Sequence, residues 1–153
     1  MIKWIKIDNL IYQNIEPKTI DPETGNETWN IPTDPDELKQ CIIDTLGFLV
    51  FRKLGNILNA VDKRNAVTTK GLVLLVKLVN SLNPDTSVLT ETEQETYNAM
   101  LSLADIGYAD SQLLKNTITQ LQDVLNWYYQ EEQKVKNMST FEEMLEYLEN
   151  LDA

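Results

Sequence analysis

"PDELKQCIIDTLGFLVFRKLGNIL", residues 35–58, decides how the chain is read. It opens as a helix does. Thr33 or Asp34 can cap it, Pro35 suits the first helical position, and Asp36 and Glu37 complement the dipole. Leu38, Ile42, Leu46, Leu49, Leu54, Ile57 and Leu58 then recur at helical spacing and make the main apolar stripe. Cys41, Phe48, Val50 and Phe51 fall off that stripe. A helix apolar on more than one face needs cover from several directions, inside the fold or from a neighbouring subunit. The expected helix runs to about Val61, with Gly47 and Gly55 permitting close approach or a bend.

Upstream the pattern changes. "IKWIKI", residues 2–7, alternates roughly as a strand does, Asp8-Asn9 makes a two-residue turn, and "LIYQNI" runs back. A second pair follows: "KTID", the turn "PETG" and "NETWNI". Four of the five prolines, Pro17, Pro22, Pro32 and Pro35, also lie here, so the chain's punctuation sits at this end. A hairpin by itself is marginal in water. Residues 1–31 must therefore pack on the helical part or on another chain, with Trp4, Ile7, Tyr12, Ile20 and Trp29 as the expected contacts.

Downstream of the first helix, "DKRNAVTTKG" reads as a loop, and Thr68 or Thr69 caps the helix "KGLVLLVKLVNSL". That run is too short to span a bilayer, which takes roughly 20 residues, and Lys77 interrupts it. "TETEQETYNAMLSLADIGY" opens on a capping box from Thr90 to Glu93, turns Tyr97, Met100, Leu101 and Ala104 inward, and stops near Gly107. Residues 111–137 carry a heptad-like seam of Leu114, Ile118, Leu121, Leu125, Tyr128, Glu132 and Val135. The seam fits a bundle helix as well as a coiled coil. Glu132, its one polar member, can pair with Lys136 one turn on. In "MSTFEEMLEYLENLDA" a capping box from Ser139 to Glu142 starts a last helix, with Phe141, Leu145 and Leu148 inward and Glu142, Glu143, Glu146 and Glu149 outward. The fold expected is mainly α (α+β): a β-hairpin arm over 1–31, then a four- to five-helix bundle over 32–153.

The chemistry is bounded by what is missing. There is no histidine in the 153 residues, which removes Ser–His and Cys–His dyads and His-ligated zinc. The single cysteine, Cys41, sits among apolar residues and reads as an inert thiol compatible with a reducing compartment. No phosphate-binding glycine loop or nucleophile elbow is present, and the carboxylate groups fall on expected outer helix faces. No catalytic residue, cofactor or metal is therefore expected. "MIKWIKIDNL" has a charge every few residues and lacks the apolar run of a signal peptide. Net charge is −11, and residues 84–153, with 3 basic and 14 acidic groups, carry all of it. Such a field repels nucleic acid and anionic membranes and favours a basic protein surface.

The stretch "IKWIKIDNLIYQNIEPKTIDPETGNETW" resembles the short hairpin-rich starts of small tailed-phage virion proteins, tail- and fibre-associated ones in particular. That resemblance implies a non-enzymatic structural or assembly protein, built into a virion after assembly in the host cytoplasm. Its partners would be other protein subunits, in a homo- or hetero-oligomer. Trp4, Tyr12, Trp29, Phe51, Trp127 and Tyr129 are the candidate partner-binding residues, since Trp and Tyr dominate interface anchors. The alternative function is an acidic anti-defence inhibitor that imitates DNA phosphates and fills the basic groove of a nucleic-acid enzyme.

Overall fold

The computed structural model describes residues 1–59, 89–95, 98–99 and 109–151. The chain is mostly helical, with an antiparallel hairpin at its N-terminal end. Strand β1 (Ile2–Ile7) pairs with β2 (Leu10–Ile15) in a register that sets Ile2 opposite Ile15 and Ile7 opposite Leu10. Asp8 turns the corner at φ 54°, a left-handed conformation that Asp tolerates because its side chain can bond locally. Asn14 adopts φ 53°, and the ladder skips the pair it would form with Lys3.

The second hairpin is smaller, with β3 (Lys18–Ile20) antiparallel to β4 (Glu27–Trp29). Its turn is an Asx device. Asp21 Oδ1 accepts the Glu23 N–H at 2.8 Å and the Thr24 N–H at 3.4 Å, and Gly25 takes φ 72°. Those bonds, that from Glu23 first, hold the Asp21 carboxyl below its ordinary range.

Helix α1 (Pro35–Asn59) starts where its sequence says it should. Asp34, rather than Thr33, is the cap: its Oδ1 accepts the N–H groups of Asp36 at 3.0 Å and Glu37 at 3.1 Å. Leu38, Ile42, Leu46, Leu49 and Leu54 of the expected stripe are all buried. Ile57 is half-buried. The off-stripe residues divide, with Val50 buried, Cys41 and Phe48 half-buried, and Phe51 exposed.

A helical turn over 91–95 opens on the expected box, Thr90 and Glu93 exchanging backbone-to-side-chain bonds at 3.1 and 3.2 Å. Helix α2 spans Ala109–Lys136 and α3 spans Phe141–Asn150. The cap of α3 sits one residue later than the sequence suggested. Thr140 Oγ1 accepts the Glu143 N–H at 3.2 Å, and Glu143 reaches back to the Ser139 N–H at 3.2 Å. The buried face moves with it: Met144 and Leu148 are sealed, whereas Phe141 and Leu145 are only half-buried. The expected helix at "KGLVLLVKLVNSL", the inward set Tyr97, Met100, Leu101 and Ala104, and the stop at Gly107 lie outside the described residues.

Two compact units divide the chain, Met1–Leu49 with Tyr128–Ala153, and Val50–Trp127. Ile5 and Leu38, on either side of the expected boundary between residues 31 and 32, both belong to the first unit. The core of that unit draws Ile2, Trp4 and Ile5 from β1, Leu38, Ile42 and Leu46 from α1, and Met144 and Leu148 from α3. In the second unit, Val50, Leu54, Leu89, Ile118, Leu121 and Leu125 are buried. The α2 seam holds as expected through Ile118, Leu121, Leu125, Tyr128 and Val135, while the Leu114 side chain lies outside what is described.

Candidate interaction surface

β1 is fastened to the first unit by its backbone as well as its side chains. The Lys6 N–H donates to Thr45 Oγ1 at 2.8 Å, and the Thr45 hydroxyl donates to the Cys41 carbonyl at 2.6 Å. Thr45 is fully buried, so a polar side chain inside α1 takes a backbone donor of the strand. β1 also packs against α3. The Trp4 ring stands 5.6 Å from that of Phe48 and is 9 % exposed. Of the candidate partner-binding residues, Trp4 is therefore the one turned into the fold. Its burial joins Ile2 and Ile5 in making β1 a core strand rather than a free arm.

The outer parts of the same hairpins differ. Met1, Leu10, Tyr12, Ile20 and Trp29 are all exposed, with Leu10 at 61 % and Ile20 at 57 %. Trp29 is half held. Its ring meets Phe141 edge-on at 5.1 Å, and Lys18 Nζ lies 5.4 Å from its centroid while pairing with Glu27 at 3.0 Å. Asn30, which sequence reasoning passed over, ties the second hairpin to the end of the first. Its Nδ2 donates to the Glu16 carbonyl at 2.8 Å and to Thr19 Oγ1 at 2.9 Å, and its N–H donates to the Pro17 carbonyl at 2.9 Å.

The same stretch of chain exposes the carboxylates of Asp8, Glu16, Asp21, Glu23 and Glu27. Lys18 is drawn onto Trp29 and Glu27, and the Met1 ammonium lies 3.9 Å from both Glu16 and Glu149. The two hairpins thus expose apolar side chains and carboxylates together.

In the same unit a polar clasp joins α2 to α3. Tyr147 Oη donates to Glu131 Oε2 at 2.7 Å, and Lys134 Nζ donates to Glu131 Oε1 at 2.7 Å. Burial first, and the Glu131 carboxylate second, push the Tyr147 phenol far above its ordinary value. Burial draws the Glu131 carboxyl up, yet the bonds from Lys134 and Tyr147 outweigh it and leave that carboxyl low. Glu132 pairs with Lys136 as its spacing suggested. Tyr128 is buried, and its phenol is pushed up to about 12 by burial and by Glu132. Tyr129 is exposed beside it, the rings 5.6 Å apart.

In the second unit Phe51 is 48 % exposed, and Trp127 is half-buried beneath Lys53 Nζ at 4.1 Å. The Cys41 thiol is pushed up by burial and then by Asp44, Asp8 and Glu37, which makes it a poor nucleophile. Among the described residues, no three Cys, Asp or Glu side chains gather as a metal site would need, and no helix is long and apolar enough to cross a membrane. The carboxylates of α3, Glu142, Glu146 and Glu149, stand exposed. No protein-family model matches the chain, nor does any curated protein or solved structure.

Proposed function

We propose that the protein is a non-enzymatic structural or assembly component that acts through protein–protein contacts made by its N-terminal hairpins. One observation carries the reading. Of the seven exposed large apolar side chains among the described residues, five (Met1, Leu10, Tyr12, Ile20 and Trp29) lie in the first 29 residues. A hairpin that shows this much apolar surface while its other side is locked into a core suits a docking element. The likeness of residues 2–29 to tail- and fibre-associated phage proteins supports a virion as the setting, assembled in the host cytoplasm. The buried stripes of α1 and α2 support a four- to five-helix bundle as the body that carries the hairpins. The net charge of −11 favours protein partners over nucleic acid.

The test is co-purification from the native source with wild-type protein and with an Ile20→Ser/Trp29→Ala double variant, alongside size-exclusion chromatography with light scattering. A stable partner or oligomer that the double variant loses, with helical circular dichroism unchanged, is the expected result. A monodisperse monomer that stays soluble when concentrated and brings down nothing overturns it.

A further inference from the structure

We infer that the outer edge of β2 is a strand-docking site for an extended segment of a different protein, apolar at alternate positions and carrying Lys or Arg at both ends. The inference rests on the assembly reading above and names the chemistry of the partner. Because Thr45 takes the Lys6 N–H, that group points away from β2, and Lys6–Ile11 is a pair without mutual hydrogen bonds. Antiparallel alternation then turns the N–H and C=O groups of Ile11 and Gln13 outward. The sheet holds only β1 and β2, and among the described residues nothing pairs with that outer edge. Edge strands are normally blunted by Lys or Pro. Leu10–Ile15 contains neither and has no charge at all. Leu10 and Tyr12 stand exposed on the face they share with Ile7 and Ile5, so an added strand with apolar alternate residues extends that face.

Charge decides the occupant. Asp8 and Glu16 bracket the edge, both exposed, and β2 itself carries no base, although the Met1 ammonium lies 3.9 Å from Glu16. Antiparallel pairing of β2 with β2 of a second copy through the outward groups sets Ile11 of each against Gln13 of the other, and so Asp8 of each opposite Glu16 of the other, at both ends. Like charges so placed oppose self-pairing, and the net charge of −11 opposes it further. A strand with a basic residue at each end meets both carboxylates.

The experiment measures fluorescence polarisation of a labelled peptide, Lys-Val-Thr-Val-Thr-Val-Lys, against the full chain. Two altered peptides are run beside it, one N-methylated at alternate amides and one with Glu at both ends. Saturable binding is expected, with N-methylation on the pairing side weakening it at least about tenfold through lost main-chain bonds, and the Glu ends weakening it about tenfold. Gln13→Pro, which removes an outward donor, should weaken binding likewise while Trp4 fluorescence stays native. Because the altered peptides leave the protein untouched, the result stands even if Gln13→Pro fails to fold. Absence of binding at millimolar peptide, indifference to N-methylation, or a wild-type homodimer that Gln13→Pro dissociates overturns the inference. If the peptide fails yet a native partner is lost on changing Ile20 and Trp29, the assembly reading stands and only the β2 site falls.

Discussion

Replacing Thr45 by Val keeps the shape of a sealed side chain and deletes the acceptor of the Lys6 N–H. A backbone donor left without a partner inside a protein costs about 1–3 kcal/mol. Lys6 is only half-buried, so the lower part of that range, about 1–2 kcal/mol, applies. The bond from Thr45 to the Cys41 carbonyl adds little, because that carbonyl also belongs to the α1 ladder. With a urea slope on the order of 2 kcal/mol/M, the midpoint should fall by roughly 0.5–1 M. Thr45→Ser retains the acceptor and loses a buried methyl, which costs about 1 kcal/mol by itself. The two variants therefore differ little in global stability, and amide exchange at Lys6 separates them. Thr45→Val should speed that exchange about tenfold or more, and Thr45→Ser should leave it slow. Equal protection of the Lys6 amide in Thr45→Val and wild type would refute the reasoning, since the strand would then be held by something else.

Met144→Ala removes a fully buried side chain and should destabilise by about 2–4 kcal/mol in thermal or urea unfolding, whereas Phe51→Ala, at a site 48 % exposed, should stay below about 1 kcal/mol. Asp34→Ala strips two N–H groups of α1 of their acceptor and should cost about 1 kcal/mol, with Asp34→Ser recovering most of it. The phenol of Tyr147 is raised in the fold, so its contribution is complete below the ordinary value of 10.0 and is lost as pH climbs above it. Unfolding followed from pH 8 to 11 should show stability falling above 10, and Tyr147→Phe should flatten that fall.

Local rules carried the ends of the elements well. Asp34 with Pro35 and the pair Thr90–Glu93 each satisfy orphan N–H groups within a few residues, so their chemistry is written in adjacent letters. At α3 the same rule is degenerate. Ser139 and Thr140 each have Glu three positions on, and only the burial of Met144 and Leu148 selects the later frame. The alternation of "IKWIKI" predicted a strand but not its depth. Trp4 and Ile5 are neighbours with opposite faces, and both are buried because α1 and α3 each pack on the hairpin. A period-two pattern marks which side is greasy and is mute when both sides are covered. The Lys6–Thr45 and Glu131–Tyr147 bonds bridge elements 39 and 16 residues apart, and nothing near either residue announces its partner. Of the surface, the exposed rings of Tyr12, Trp29, Phe51 and Tyr129 were among the residues that aromatic placement singled out, whereas the carboxylates of the hairpins were not. The open edge of β2 was not legible, because it depends on which backbone groups Thr45 had already claimed.

That threonine has a further effect on how many neighbours the molecule can accept. A two-stranded ribbon bare along both margins invites growth in either direction and can seed a fibre. Here one margin is stoppered by an internal hydroxyl, which leaves room for a single guest strand. If β2 docks a strand as inferred, recruitment through this ribbon is limited to one for one, and the chain would end a ladder instead of extending it.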